Sequence, residues 1–181
     1  MLHFIYTQPL SRVIITMTIT IAIWGYVRTK LCDKRWNIAN ALLACCMVMA
    51  ILCITIMGRT TGERTLVLKP FASLAAARTQ SEAYRELLMN IFLFFPLGLT
   101  LSNALPQRWG RWWRIGLTVI TGLLLSAGIE YIQYRFALGV AETDDVICNT
   151  FGVFFGSTSL LIAHGIEKYK EKTIKHDSNK N

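Results

Sequence analysis

Charged residues are scarce in this sequence. Asp, Glu, Lys and Arg together make up 17% of its 181 residues, against about 25% in an ordinary soluble domain. The shortage is uneven, since Ile14–Val27 and Ile38–Gly58 carry no charge at all. Each run is close to the roughly 20 apolar residues that cross a bilayer core of about 30 Å. Histidine is also rare, with His3, His164 and His176 only. No Ser–His pair, lysine nucleophile or H-E-x-x-H pattern accompanies the acidic residues, which removes the commonest routes to nucleophilic or zinc-assisted hydrolysis. The five cysteines, Cys32, Cys45, Cys46, Cys53 and Cys148, include no C-x-x-C pair. An odd set placed mostly in apolar runs argues against a disulfide framework or zinc site and favours small packing residues. There is no internal repeat, so a repeat-built secondary transporter is disfavoured. A cleavable leader is not expected either: Met1–Ser11 has little positive charge and no A-x-A site follows.

What the sequence does have is hydropathy and a basic excess. Mean hydropathy is +0.41 and the net charge +8. The basic residues sit between and after the apolar runs, as in membrane topology, and no nucleic-acid-binding motif is present. The expected fold is all-α: a polytopic transmembrane helical bundle, 1–181 as one membrane domain, with about five spans near Ser11–Val27, Ile38–Met57, Glu86–Leu105, Ile115–Tyr134 and Val146–His164. Pro96 and Gly98 should bend or loosen the third, which membrane helices tolerate. One side collects Arg28, Lys30, Lys34 and Arg35, then Arg108, Arg111 and Arg114, then the tail lysines. By the positive-inside rule that side is cytoplasmic, which puts the N-terminus outside and the C-terminus in the cytoplasm. The five tryptophans, Trp24, Trp36, Trp109, Trp112 and Trp113, fall at the same ends and read as an interfacial belt. The loop Gln107–Arg114 mixes aromatic and basic residues in a way that also suits anionic headgroups. In the longest outer loop, the apolar stretch Leu66–Ala77 is too short to span; it should lie along the interface or re-enter the bundle. Residues 167–181 read as a disordered cytoplasmic tail.

Ionisable and amide groups at membrane depth are expensive and mark candidate sites. Glu86 and Asn90 share a face of the third span. Ser126, Glu130 and Gln133 form an i, i+4, i+7 stripe on the fourth. Asp145, Asn149, Gly152 and Gly156 form another on the fifth, with Asp144 beside it. Gly152-x-x-x-Gly156 should let a neighbouring helix approach closely. The short segment Arg135–Asp144 makes the last two spans antiparallel neighbours, so Glu130, Gln133, Asp144, Asp145 and Asn149 should converge at one outward mouth with Glu142 and Arg135 at its rim. Four roles fit such a cluster. It is a hydrogen-bonded clamp between helices, a binding site for a polar or cationic group, an acid–base site built on Glu130 and Asp145, or a proton-coupled path. Asp144 or Thr143 also suits a plain helix cap. No metal or cofactor is expected.

Four segments carry a likeness to a known family. They are Lys69-Pro70-Phe71; Glu86-Leu87-Leu88-Met89-Asn90, running on to Phe95-Pro96-Leu97-Gly98; Ser126 to Gln133; and Glu142 to Gly152 with its Asp144-Asp145 pair. In this order and spacing, over 66–156, the chain resembles the VanZ-like family of small bacterial membrane proteins, named after a teicoplanin-resistance protein. It departs from the family pattern in lacking an arginine within Leu138–Ala141. The resemblance implies a cell-membrane protein that modulates glycopeptide susceptibility or the outer envelope, with a membrane lipid, a glycopeptide antibiotic or a lipid-linked envelope precursor as partner. A membrane enzyme for a lipid-linked substrate and a structural or accessory subunit are the alternatives.

Overall fold

Long uncharged runs with few breakers have one way to satisfy their backbone in lipid, which is to close every N–H and C=O inside a helix. The computed structural model, which describes residues 10–31, 34–57 and 59–178, follows that rule. Helix α1 spans Leu10–Lys30. Helix α2 spans Lys34–Leu52 and runs into a π-helical turn, Cys53–Met57. Three-residue strand β1 (Thr65–Val67) and short helix α3 (Ala72–Ala76) follow. Then come α4 (Ser81–Ala104), α5 (Arg111–Phe136), strand β2 (Val140–Glu142), α6 (Thr143–Ser157) and α7 (Ser159–Ser178).

Among the described residues, four helical stretches are long and apolar enough to cross a membrane: Lys34–Met57, Ser81–Ala104, Arg111–Phe136 and Thr143–Lys175. The 21-residue α1 packs beside them, mainly on α7. The outward faces carry Ile15, Ile19 and Ile23 on α1, Leu42 and Met49 on α2, and Ile120 and Leu124 on α5, all exposed. Polar groups such as Asn40, Ser102, Asn103, Thr118, Ser126 and Gln133 are buried. That inversion suits a lipid solvent, and the fold is the expected all-α membrane bundle.

Hydrogen bonds between helices identify the two ends. At one, Trp24 Nε1 donates to Asn40 Oδ1 (3.1 Å), Arg28 to Asn103 Oδ1 (3.1 Å) and Asn103 Nδ2 to Ser159 Oγ (3.0 Å). At the other, Gln133 Nε2 donates to the Thr55 carbonyl (3.0 Å) and Asn90 Nδ2 to Asp145 Oδ1 (2.6 Å). The four stretches able to cross run between these ends along α2, α4, α5 and α6–α7, close to the about five spans expected, and α1 packs beside them.

The central contact is α4 against α6, and it is made by backbone. A Cβ placed on Gly98 would strike the Val153 carbonyl; one on Gly152 would strike the Ile91 carbonyl; one on Gly156 would strike the Phe95 carbonyl. The Gly-x-x-x-Gly spacing works as expected, with Gly98 supplying the answering gap on α4. Around this seam Phe94, Leu97, Ile129, Val153, Ala44 and Ile51 form one buried cluster, and Met17, Ile21, Phe95 and Leu99 another.

Three features differ from the sequence reading. The last expected span starts earlier, at Thr143, and its helix breaks at Thr158. There Ser157 and Thr158 hydroxyls donate to the Phe154 and Phe155 carbonyls (2.7 and 2.6 Å), competing with the helix's own ladder. Helix α7 then continues through Ser178, so most of the tail expected to be disordered is helical. Glu167 with Lys170 and Glu171 with Lys175 stand at the spacings that support an isolated helix. Finally, β1 and β2 pair in parallel, Thr65 opposite Val140 and Val67 opposite Glu142, an element too short for hydropathy to reveal.

Candidate functional site

The starts of α4 and α6, the end of α5 and the segment after α2 meet at one end of the bundle. Between them lies a cleft of ≈ 510 Å³ lined by Arg59, Glu82, Arg85, Glu86, Met89, Asn90, Val140, Glu142 and Asp145. It holds four carboxylates, two guanidinium groups and an amide. Glu82, Glu86 and Asn90 are spaced four apart on the first turns of α4, so they stand in one line along the wall. Asp145 faces them from the first turn of α6, held by the Asn90 amide at 2.6 Å. Arg59 reaches in from the segment after α2 and donates to the Leu138 carbonyl (3.4 Å) beside Gly139, whose φ of +127° brings the backbone close to the guanidinium.

The sequence candidates divide between this cleft and the framework behind it. Glu86, Asn90 and Asp145 line the cleft. Asp144, one residue from Asp145 and 4% exposed, points the other way. Its two oxygens accept from the backbone N–H groups of Phe71 (2.6 Å) and Ser73 (2.7 Å). Those amides converge because Phe71 sits in the left-handed region, φ 63° and ψ 16°, an uncommon conformation for a bulky residue. The Lys69-Pro70-Phe71 segment is thus folded onto Asp144, and Ser73 Oγ adds a bond to Glu142 Oε2 at 2.7 Å.

Glu130 accepts from the Glu142 backbone N–H at 2.9 Å, so it secures the residue that precedes α6. Gln133 ties α5 to the π-helical turn, and Asn149 Nδ2 ties α6 to Ser126 Oγ on α5 at 2.8 Å. Ser126, Glu130, Gln133, Asp144 and Asn149 therefore join elements, and none of them lines the cleft. Glu130 and Asp145 lie close enough to feel each other's charge, and of the two only Asp145 lines this cleft. Arg135, expected at the rim, is exposed near the Phe136 ring, 5.9 Å from its centroid. Arg59 and Arg85 supply the cleft's positive charge instead. No group of three or more His, Cys, Asp or Glu side chains suited to a metal ion occurs among the described residues.

Glu82, Arg85, Arg59, Met89 and Val140 were not among the sequence candidates. Glu82 was within reach, since it extends the Glu86–Asn90 line by one turn. Arg59 was not, because only the path of the chain after the π-helical turn brings it here.

The VanZ/LLP1 family model matches residues 13–164, most of the chain. The chain belongs to the VanZ/LLP1 family. It is also similar to Protein VanZ of Enterococcus faecium, at 35% identity over 96 residues, which are 52% of this chain and 51% of that protein. The match thus spans about half the length of this curated relative. No solved structure matches. The polar positions shared with the VanZ-like pattern now have physical roles: Asp144 shapes the loop at Phe71–Ser73, Glu130 and Asn149 fasten α5 to the start of α6, and Asn90 and Asp145 face the cleft.

Proposed function

We propose that this VanZ-family membrane protein binds a lipid or a lipid-linked envelope precursor in the cleft between α4 and α6, and through it modulates glycopeptide susceptibility of the teicoplanin type. One observation carries the reading. Side chains of both charges, Arg59, Glu82, Arg85, Glu86, Glu142 and Asp145, line one cleft together with the Asn90 amide. Convergent polar groups in a concave site are the usual mark of recognition. A lining with both signs of charge suits a ligand that itself carries ammonium and acid groups. The excess of Lys and Arg at the opposite end supports placing the cleft outside the cell membrane, with the C-terminus in the cytoplasm.

The test is expression in a glycopeptide-sensitive Gram-positive host. Wild type should raise the teicoplanin concentration needed to stop growth. Asp145→Asn, Glu86→Gln and Arg59→Gln should return it toward the host's level at unchanged membrane abundance. An unchanged susceptibility with wild type defeats the resistance reading, and wild-type behaviour of all three variants defeats the site.

A further inference from the structure

The segment that carries β1 and α3 leaves a group of large apolar side chains bare. Leu66 is 47% exposed, Leu68 69%, Phe71 59% and Leu74 52%. None of them lines the cleft. A segment re-entering the bundle would be enclosed by helices, because irregular backbone at membrane depth survives only where protein or a watery cavity surrounds it. This segment packs on α4 and α6 with one side and presents its apolar side chains on the other. It is also firmly mounted. Phe71 and Ser73 donate their N–H groups to Asp144, Ser73 Oγ donates to Glu142, and β1 pairs with β2. Phe71 keeps its left-handed backbone, φ 63°, on that mounting. An exposed apolar patch held this rigidly marks an interaction surface.

Its place on the bundle identifies what covers it. Asp144, Ile147, Phe151 and Phe154 follow i, i+3, i+7, i+10 on α6 and share one face. Ile147, Phe151 and Phe154 are all exposed, and α6 belongs to a stretch able to cross a membrane. The other face of α6 carries Gly152 and Gly156 against α4. The Ile147–Phe154 stripe therefore faces lipid, and the segment bonded to Asp144 sits at the head of that stripe. Three residues separate Asp144 from Ile147, roughly 5 Å of helix. Apolar side chains of interfacial segments reach about 5–10 Å into the boundary between headgroups and acyl chains, so the two surfaces meet within that band. Lys69, exposed between Leu68 and Pro70, suits the same level, where its stem lies along hydrocarbon and its ammonium stays among headgroups.

We propose that Leu68, Phe71 and Leu74 form an apolar knuckle seated in the lipid at the membrane surface, where it extends the lipid-facing stripe of α6. Asp144 is its mounting. Glu142, which lines the cleft and also holds Ser73, connects this anchor to the edge of the cleft. The anchor does not depend on what the cleft binds.

Photo-crosslinking of the full chain in nanodiscs of phosphatidylglycerol and phosphatidylcholine tests this. The photoreactive amino acid benzoylphenylalanine replaces Phe71, Leu74, Leu124 or Ile174, one at a time, and mass spectrometry reads the adducts. Leu124, 67% exposed on α5, reports the lipid-facing surface. Ile174, 68% exposed on α7, is equally bare but lies beyond the roughly 20 residues that a bilayer core holds, counted from Thr143. Burial of a large apolar side chain favours the lipid position by roughly tenfold or more. Lipid adducts at 71 and 74 should therefore match those at 124 and exceed those at 174 by about that factor. Position 74 carries the test if the left-handed position 71 does not accept the larger ring. Lipid adducts at 71 and 74 no more abundant than at 174 overturn the proposal. Adducts to a second copy of this chain in place of lipid would make the patch a self-association surface and overturn the lipid assignment.

Discussion

Replacing Asp144 by Asn should unlock the segment 66–80 while leaving the bundle intact. The carboxylate accepts two backbone hydrogen bonds, at 2.6 and 2.7 Å, from Phe71 and Ser73. An amide keeps one accepting oxygen and turns the other position into a donor, so one N–H then faces another. A hydrogen bond to a charged group is worth about 1.5–3 kcal/mol. At about 1.4 kcal/mol per factor of ten, loss of one such bond raises the local opening constant roughly ten- to a hundredfold. The left-handed Phe71 adds to this, because its conformation is sustained by the bonds it makes. Hydrogen–deuterium exchange in lipid nanodiscs reads the effect directly. Peptides covering 66–80 should exchange faster by that factor, while peptides from 94–104 and 115–129 stay as in wild type. Wild-type exchange at 66–80 in Asp144→Asn would refute the account of this residue as the anchor of the segment. Faster exchange spread through α4 and α5 would show instead that Asp144 supports the whole bundle.

Further expectations concern the seam and the clamps. Gly156→Leu forces side-chain atoms against the Phe95 carbonyl and Leu99 amide. Overpacking typically costs about 1–3 kcal/mol, so the detergent-solubilised protein should melt several degrees lower by fluorescence-detected size exclusion, whereas Gly116→Ala, with open space around it, should not shift the midpoint. Glu130→Gln retains an oxygen for the Glu142 amide and should change the midpoint little; Glu130→Ala removes it and should cost about 1–2 kcal/mol. Gln133→Leu loses the bond to Thr55 but also removes an amide oxygen that has no partner. Asn149 Oδ1 is likewise buried without a hydrogen-bond partner among the described residues, so the two variants should differ through volume: Gln133→Leu roughly keeps it and should melt higher than Asn149→Ala, which leaves a cavity.

The membrane bundle was legible because hydropathy is a property of long segments, and α2, α4 and α5 carry it without interruption. The Gly152–Gly156 contact was legible for a similar reason, since spacing on a helix fixes a face. The division of labour among the polar residues was not. Asp144 and Asp145 are adjacent and chemically identical, and helix geometry turns one toward Phe71 and Ser73 and the other toward Asn90. Nothing in their identities distinguishes a loop anchor from a cleft residue. Glu130 stood out as a carboxylate at membrane depth, yet its partner is a backbone amide at Glu142, a type of bond that leaves no trace in side-chain patterns. The β1–β2 pair depends on two three-residue segments 75 positions apart, Thr65 opposite Val140, which local periodicity cannot connect.

The glycine seam determines which wall of the cleft is able to move. Helices α4 and α6 touch through their main chains at Gly98, Gly152 and Gly156, and without intervening side chains there are no rotamers to absorb a sliding motion. Glu82, Glu86, Asn90 and Asp145 accordingly ride on one stiff block. Arg59 comes to the cleft from the segment after α2, outside that block, and is tied to it by the bond to Leu138. For the ligand proposed above, the carboxylates on α4 and α6 would be a fixed template and Arg59 the wall able to adjust.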